Sequence, residues 1–132
     1  MKNKADDMRR VRADKNKNRL YLRFSKMTNQ EMADEIIEVA NAVKSLKPGF
    51  TCLTDLSDLT APSGKERRMA RLVIEYLSMT GVSKVVRVGS EKNFNLLDQD
   101  SREIGEYSAV HADTVEEAEE LLDQFLNKLP DR

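Results

Sequence analysis

Apolar and polar residues alternate in two short runs near the start of the chain. Between Met8 and Asp14, Val11 and Ala13 alternate with arginines, and residues 20–24 repeat this alternation with larger side chains. A period of two is typical of half-buried β-strands. The polar run 15–18 separates the two segments and favours a turn. The pattern therefore predicts a β-hairpin.

The next segment has the period of a helix, with its own start and stop signals. Thr28 stands three residues before Glu31, which is the spacing of a capping box. Apolar residues then recur at spacings of three and four: Met32, Ile36, Val39, Ala40, Val43 and Leu46. Because Pro48 and Gly49 end the run, the pattern predicts one amphipathic helix with these apolar residues on its buried face.

Three later segments are rich in apolar and β-branched residues. They predict strands over Phe50–Leu56, Lys84–Gly89 and Tyr107–His111. The first of these contains Cys52, which favours a core position for that side chain. The last contains His111.

Helical patterns separate these strands. Two begin at further capping boxes, at Ser63 and at Thr114. The apolar stripe of the first is Met69, Leu72, Val73, Tyr76 and Leu77, and that of the second is Val115, Ala118, Leu121, Leu122, Phe125 and Leu129. A weaker helix or irregular segment is predicted around Phe94, Leu97 and Ile104.

The predicted order of elements is β-β-α-β-α-β-(α)-β-α. Alternation of strands and helices favours an α/β fold with a mixed, mostly parallel sheet of about five strands, an N-terminal hairpin and about four helices. With 132 residues, we expect one domain over 1–132, of which 1–7 form a flexible N-terminus.

Composition narrows the class of protein. The chain is 39% hydrophobic and 34% charged, which is typical of a folded protein with a heavily solvated surface. Its apolar runs fall short of the roughly 20 residues that a spanning helix needs, and its first residues lack the apolar stretch of a secretory signal. Cys52 is the only cysteine, which agrees with a reducing compartment. We therefore expect a cytoplasmic protein without a membrane partner.

Charge is nearly balanced but unevenly distributed. The net charge of −1 argues against nucleic acid as a partner. Residues 1–19 carry eight Lys or Arg against three Asp, whereas residues 113–123 carry six Asp or Glu. Such an asymmetry either guides a partner or lies on two solvated surfaces.

Several local strings resemble those of STAS domains, in particular the bacterial SpoIIAA-like group related to the sporulation anti-sigma factor antagonist. The strings are Asn18-Arg19-Leu20-Tyr21-Leu22, Leu46-Lys47-Pro48-Gly49-Phe50, Asp55-Leu56-Ser57, Gly81-Val82-Ser83-Lys84-Val85-Val86-Arg87-Val88 and Thr114-Val115-Glu116-Glu117-Ala118. The resemblance spans nearly the whole chain. It implies a STAS-like fold and a regulatory module that binds another protein without catalysis.

The resemblance also implies a recognition segment after the central strand. Classical antagonists carry a phosphorylated serine there, at a helix N-terminus, and here Ser63 and Gly64 match the end of that motif. Pro62 stands where the acceptor serine would be and Ala61 where the acidic residue would be. A phosphorylation switch at Ser63 is therefore one interpretation, and a plain helix N-cap is the other, because capping alone explains serine at this position.

The candidate site that follows is the loop and the adjacent helix start. The partner-binding or phospho-acceptor residues are Ser57, Thr60, Ser63 and Gly64. A basic contact face is expected from Lys65, Arg67, Arg68 and Arg71, to which Arg9, Arg10 and Arg12 of the first strand would add. The alternative is an ordinary solvated helix surface, since no aromatic residues are interleaved.

Catalytic interpretations find little support. A Cys52 and His111 dyad is conceivable, but both residues are predicted on strands, where core positions are more common. Asp55 and Asp58 suit a Mg²⁺ site, and equally suit a turn. We expect no enzymatic activity and no cofactor.

A second hypothesis is a binding protein for a small apolar or anionic ligand. A groove lined by Met69, Met79 and Phe94 would accept an apolar molecule, because methionine side chains suit adaptable pockets. The same residues suit an ordinary core. Homodimerisation is left open by the sequence.

Overall fold

The computed structural model describes residues 10–59, 64–105 and 107–127. In this part of the chain five strands form one sheet: β1 (Val11–Asp14), β2 (Arg19–Arg23), β3 (Thr51–Asp55), β4 (Lys84–Val88) and β5 (Val110–Ala112). The helices described with them are α1 (Asn29–Lys44), α2 (Gly64–Thr80), α3 (Glu91–Asp100) and α4 (Val115–Asn127). The predicted α/β class is confirmed. The flexible N-terminus predicted for 1–7 lies outside the described residues.

The strands stand side by side in chain order. β1 and β2 pair antiparallel as the predicted hairpin, and β2, β3, β4 and β5 pair parallel. Right-handed crossovers between successive parallel neighbours place their connecting helices on the same face of a sheet. Accordingly α1, α2 and α3 cover one face, and α4 covers the other.

Two apolar layers hold the helices to the sheet. The layer under α1, α2 and α3 contains Leu20, Leu22, Cys52 and Val85 from the strands. The layer under α4 contains Leu53, Val86 and Val88, which are the alternate residues of the same strands, together with Ala118 and Leu122 of the helix. Strands buried on both faces explain why their sequences read as continuous apolar runs.

Two of the predicted helix starts are confirmed. The Thr28 hydroxyl accepts a hydrogen bond from the Glu31 amide at 3.1 Å, and the Glu31 carboxylate accepts one from the Thr28 amide at 2.9 Å. The Thr114 hydroxyl likewise accepts from the Glu117 amide at 3.1 Å. The capping box predicted at Ser63 lies outside the described residues.

The last strand is shorter and later than predicted. Strand β5 covers Val110–Ala112, so the prediction of a strand from Tyr107 was wrong over its first three residues. Tyr107 instead packs in the core beside Gly105, where any Cβ would lie 2.6 Å from its ring. The Ala109 amide donates to Asp98 of α3 at 3.0 Å, so this stretch is tied to the helix and not to β4.

The helix before it is longer than the weak pattern indicated. α3 spans Glu91–Asp100 and continues as a π-helical turn over Ser101–Gly105. The wider turn carries one residue more than an α-helical turn, which shifts the phase of the residues that follow. Apolar residues therefore lose their regular spacing here, and this explains the weakness of the sequence signal.

The buried faces of two helices differ from the predicted stripes. On α1, Ile36 is 42% exposed, whereas its neighbour Glu35 is only 3% exposed. On α2, Leu72 is 55% exposed. Each helix rests on the sheet along a narrower line than its apolar residues cover, so part of each stripe remains in solvent.

Candidate functional site

The segment after β3 presents Ser57 on a fixed backbone. Ser57 is exposed, and its amide donates to the Asp55 carboxylate at 2.9 Å, which closes a tight turn at the end of the strand. Leu56 and Leu59 are buried on either side of it. The turn therefore projects Ser57 outward between two apolar anchors. Thr60 and Ser63, predicted in the same site, lie outside the described residues.

Neighbouring elements fix this segment from two sides. The Asn93 side chain of α3 donates to the Leu59 carbonyl at 2.7 Å, and Asn93 itself is buried. On the other side the Arg23 guanidinium lies 3.4 Å from the Asp58 carboxylate. A surface that is ordered before binding loses less conformational entropy when a partner arrives.

The four basic residues predicted on α2 divide into two pairs. Arg67 and Arg71 bind the carboxylate of Asp100, with N–O distances of 3.3 and 3.0 Å. Lys65 is half-buried and Arg68 is exposed, and neither forms an ion pair with a described residue. Among the described residues the second pair therefore lacks a carboxylate partner, whereas the first pair shares one. Three further basic residues were predicted to add to this face. Arg10 pairs with Glu31, and Arg12 lies over the ring of Tyr21. Arg9 lies outside the described residues.

Asp100 is the residue that sequence reasoning missed at this site. It is fully buried at the end of α3 and joins that helix to α2 through both arginines. An acidic residue at a helix end gives no signal of burial, and its partners stand 29 and 33 positions earlier in the chain. We name the described remainder, Ser57, Gly64, Lys65 and Arg68, the β3–α2 surface, and Thr60 and Ser63 stay members of it only as sequence predictions.

The structure does not assemble a Cys52 and His111 dyad. Cys52 is completely buried, and burial raises the pKa of its thiol to about 11, so the nucleophilic thiolate is scarce near neutral pH. The His111 Nε2 atom lies 2.8 Å from the Gly89 carbonyl and its ring stacks against Phe94. The two side chains therefore satisfy separate local partners.

The proposed Mg²⁺ ligands are also engaged locally. Asp55 accepts the Ser57 amide and Asp58 pairs with Arg23, so the interpretation as a turn is the one the contacts favour. Among residues 10–59, 64–105 and 107–127 no group of three or more His, Cys, Asp or Glu is placed to hold a metal ion.

The methionine groove predicted for an apolar ligand does not form. Met69 is 3% exposed and belongs to the core, while Met79 is 77% exposed on the outer side of α2. Phe94 lies on α3 against His111. Other concavities include an apolar groove of ≈220 Å³ between α1 and α2 and a larger charged cleft between β1 and α1.

Comparison of the chain with protein-family models, with curated proteins and with solved structures finds no match. The resemblance to STAS domains therefore stays a prediction. In the described ranges no helix combines the length and the apolar character needed to cross a bilayer.

Proposed function

We propose that this chain is a non-catalytic regulatory module of the cytoplasm that binds another protein through the β3–α2 surface, as anti-sigma factor antagonists do. The observation that carries the proposal is the turn of Ser57, which is exposed yet held by Asp55 below it and by Asn93 beside it. Such a preformed polar turn, followed along the chain by two cations at the start of α2 that pair with no described carboxylate, suits recognition of a folded partner.

Charge selects the class of partner. Arg67 and Arg71 share the single negative charge of Asp100, whereas Lys65 and Arg68 have no carboxylate partner in the described part of the chain, so the latter two supply most of the positive potential of the β3–α2 surface. An acidic patch on the partner would complement them, and the complementarity would mainly increase the rate of association. In this proposal Arg67 and Arg71 support the surface and do not contact the partner.

Ser63 gives the proposal a regulatory element. The resemblance places a phospho-acceptor in this segment, and a phosphate at Ser63 would add close to two negative charges near Lys65 and Arg68 in the sequence. That phosphate would neutralise the cations that attract an acidic partner. We therefore expect phosphorylation, if it is used, to release the partner.

The test is capture of the tagged chain from lysate of its own cell, comparing charge-matched variants. The double variant K65E/R68E should lose the captured partner, while K44E/K47E, with the same change of net charge on exposed residues of the α1 end, should retain it. Ser63→Glu should weaken capture and Ser63→Ala should not. Equal capture by both double variants would contradict the proposal.

A small-ligand function has one observation in its favour, the apolar groove between α1 and α2. Exposed Ile36 and Leu72 flank it, with Val39, Ala40, Val73 and Tyr76 lining the rest. Its volume of ≈220 Å³ is below the roughly 300 Å³ at which ligand pockets begin. Mass spectrometry under native conditions tests this function by detecting an apolar ligand bound to the chain. A ligand that is bound to the unaltered chain and absent from the Leu72→Gln variant would support this function over protein binding.

A further inference from the structure

A large concavity of the described chain is lined by residues outside the β3–α2 surface. It is a cleft of ≈860 Å³ between the edge strand β1 and helix α1, open to solvent. Charged side chains dominate its lining: Arg12 and Arg23 come from β1 and β2, Arg10 immediately precedes β1, and four carboxylates come from α1. Their pairing decides which charge a ligand would meet.

The arginines of the cleft already have partners. Arg10 donates to the Glu31 carboxylate at 3.1 Å, and Arg23 lies 3.4 Å from Asp58. The Arg12 guanidinium sits 3.8 Å above the Tyr21 ring centre. An anionic ligand would have to displace one of these contacts, so the cleft does not favour an anion.

The carboxylates are less well satisfied. Glu31 has Arg10 and the Thr28 amide, and Asp34 accepts from Gln30 at 3.0 Å. Glu35 is only 3% exposed, and both of its carboxylate oxygens are covered without a hydrogen-bond donor. Burying an ionised carboxylate without a hydrogen-bond donor costs several kcal/mol of free energy. A donor at Glu35 would remove this cost, and the described part of the protein supplies none there.

Helix geometry concentrates the negative charge. Glu31, Glu35 and Glu38 follow one another at spacings of four and three, so they share one side of α1, and like charges at this spacing repel. Only Glu31 has a cation of its own. A positive ligand would relieve the repulsion and supply the missing donors at the same time.

We propose that the cleft between β1 and α1 binds a cationic head group, an ammonium or a guanidinium, with Glu35 as its counter-ion. Both groups carry several N–H donors and a full positive charge, which matches two unpartnered carboxylate oxygens. Glu38 and Asp34, which line the same cleft, add attraction from the rim. Glu35 itself is among the residues that line the cleft.

Binding of this kind depends on pH. The pKa of Glu35 is raised to about 7, chiefly by burial, with Arg10 opposing the increase and Glu38 and Glu31 adding to it. The remaining charged groups at the cleft are Asp34, Arg12 and Arg23. Since only the ionised carboxylate is a counter-ion, affinity should increase by about tenfold from one pH unit below that pKa to one above it.

The experiment is a titration of the full chain with n-butylammonium and methylguanidinium, followed by the ¹³C chemical shift of the Glu35 carboxyl carbon. A bound cation should lower the midpoint of the Glu35 titration by about one pH unit, and Glu35→Gln should weaken binding at least about tenfold. Glu35→Met serves if the glutamine variant is poorly folded. Comparing spermidine with a short lysine-containing peptide then shows whether a free polyamine or a protein side chain is the better source of the group.

The control is Glu75→Gln, an exposed carboxylate on α2 that does not line the cleft, and its affinity should equal that of the unaltered chain. Equal binding to the Glu35→Gln variant, or no response of the Glu35 midpoint up to about 10 mM cation, would overturn the proposal. Because the K65E/R68E variant leaves this cleft intact, failure of one proposal is distinguishable from failure of the other.

Discussion

Arg19 and Arg87 are two arginines buried in the same sheet, on opposite faces, with opposite surroundings. Under α4, Arg19 donates to Thr51 at 3.0 Å and to Glu119 at 2.6 Å, and lies 3.0 Å from Asp123. On the other face, Arg87 donates to the Ser101 hydroxyl at 2.6 Å, and its Nη1 atom has no partner. The first cation contacts two carboxylates, whereas the second has no described carboxylate in contact and is attracted by Asp98 only from a distance.

The comparison teaches where removal of a charge is costly. Burial lowers the pKa of Arg87, because desolvation outweighs the attraction of Tyr107 and Cys52. The ion pair between Arg19 and Glu119 is held in place by Tyr21, because the Tyr21 hydroxyl donates to the same Glu119 carboxylate at 2.8 Å. A buried ion pair is costly to break from one side, whereas a lone buried cation is costly to keep.

The largest expected effect comes from breaking the Arg19 site. Glu119→Ala leaves the fully buried guanidinium with only Asp123 at its edge, so the free energy of unfolding should fall by about 3 kcal/mol. Urea denaturation measures it, with Glu120→Ala, an exposed glutamate on the same helix, as the control. A loss no larger than that of the control would remove the distinction between the two arginines.

Glu35 is a third buried ionisable group, and its charge, unlike that of the two arginines, can be changed by pH near neutrality. Because its pKa is raised to about 7 in the folded chain, the folded state favours the protonated acid. Its contribution to stability is therefore complete below the unfolded pKa near 4.5 and is lost as pH rises through 7. Relative to Glu35→Gln, the unaltered chain should lose about 3 kcal/mol over this range, because each pH unit between the two pKa values is worth about 1.4 kcal/mol, and urea denaturation at each pH measures the loss. A difference that does not change with pH would show that Glu35 titrates normally.

The two arginines should respond to the same substitution with opposite signs. Arg87→Met removes an unpaired cation and keeps an apolar side chain of similar length, so the free energy of unfolding should increase by about 1 kcal/mol. Arg19→Met should decrease it, since Glu119 loses the guanidinium that binds it at 2.6 Å. Thermal and urea unfolding of the two variants side by side provide the measurement. Destabilisation by both substitutions would show that the hydrogen bond to Ser101 is enough to stabilise the buried guanidinium of Arg87.

The last prediction concerns the reactivity of the Cys52 thiol, whose ionised form Arg87 attracts. Although Arg87 favours the thiolate of Cys52, desolvation prevails and keeps the thiol protonated. Iodoacetamide should therefore modify Cys52 at least about 100-fold more slowly in the folded chain than in urea. Mass spectrometry over time gives both rates. Comparable rates would show that Cys52 is accessible.

Much of the fold was predictable from local signals. The capping box of Thr28, the period of α1 and the apolar runs of β3 and β4 are properties of neighbouring residues, and they gave the correct elements. The start of β5 was not predictable, because its backbone is held by Asp98 of α3 instead of a strand. Local propensity carries no information about such a contact.

The candidate site was predictable only in part. The basic residues of α2 could be named from the sequence. Which of them have a carboxylate partner depends on Asp100, a buried residue at the end of α3 that directly precedes the π-helical turn. Similarly, one apolar stripe suggested that Ile36 is buried, whereas the orientation of α1 buries Glu35. Rotation of a helix by one residue changes the side chain that meets its neighbour.

The sequence by itself determined the α/β class, the antiparallel hairpin and the order of elements, because periodicity and helix capping act over a few neighbouring residues. The tertiary structure alone decided which charges are paired. Arg19 meets Glu119 across 100 positions of the chain, Arg67 meets Asp100 across 33, and Glu35 meets no donor at all. Electrostatic partners are set by distance in space and by exclusion of water, and neither quantity is local in the sequence.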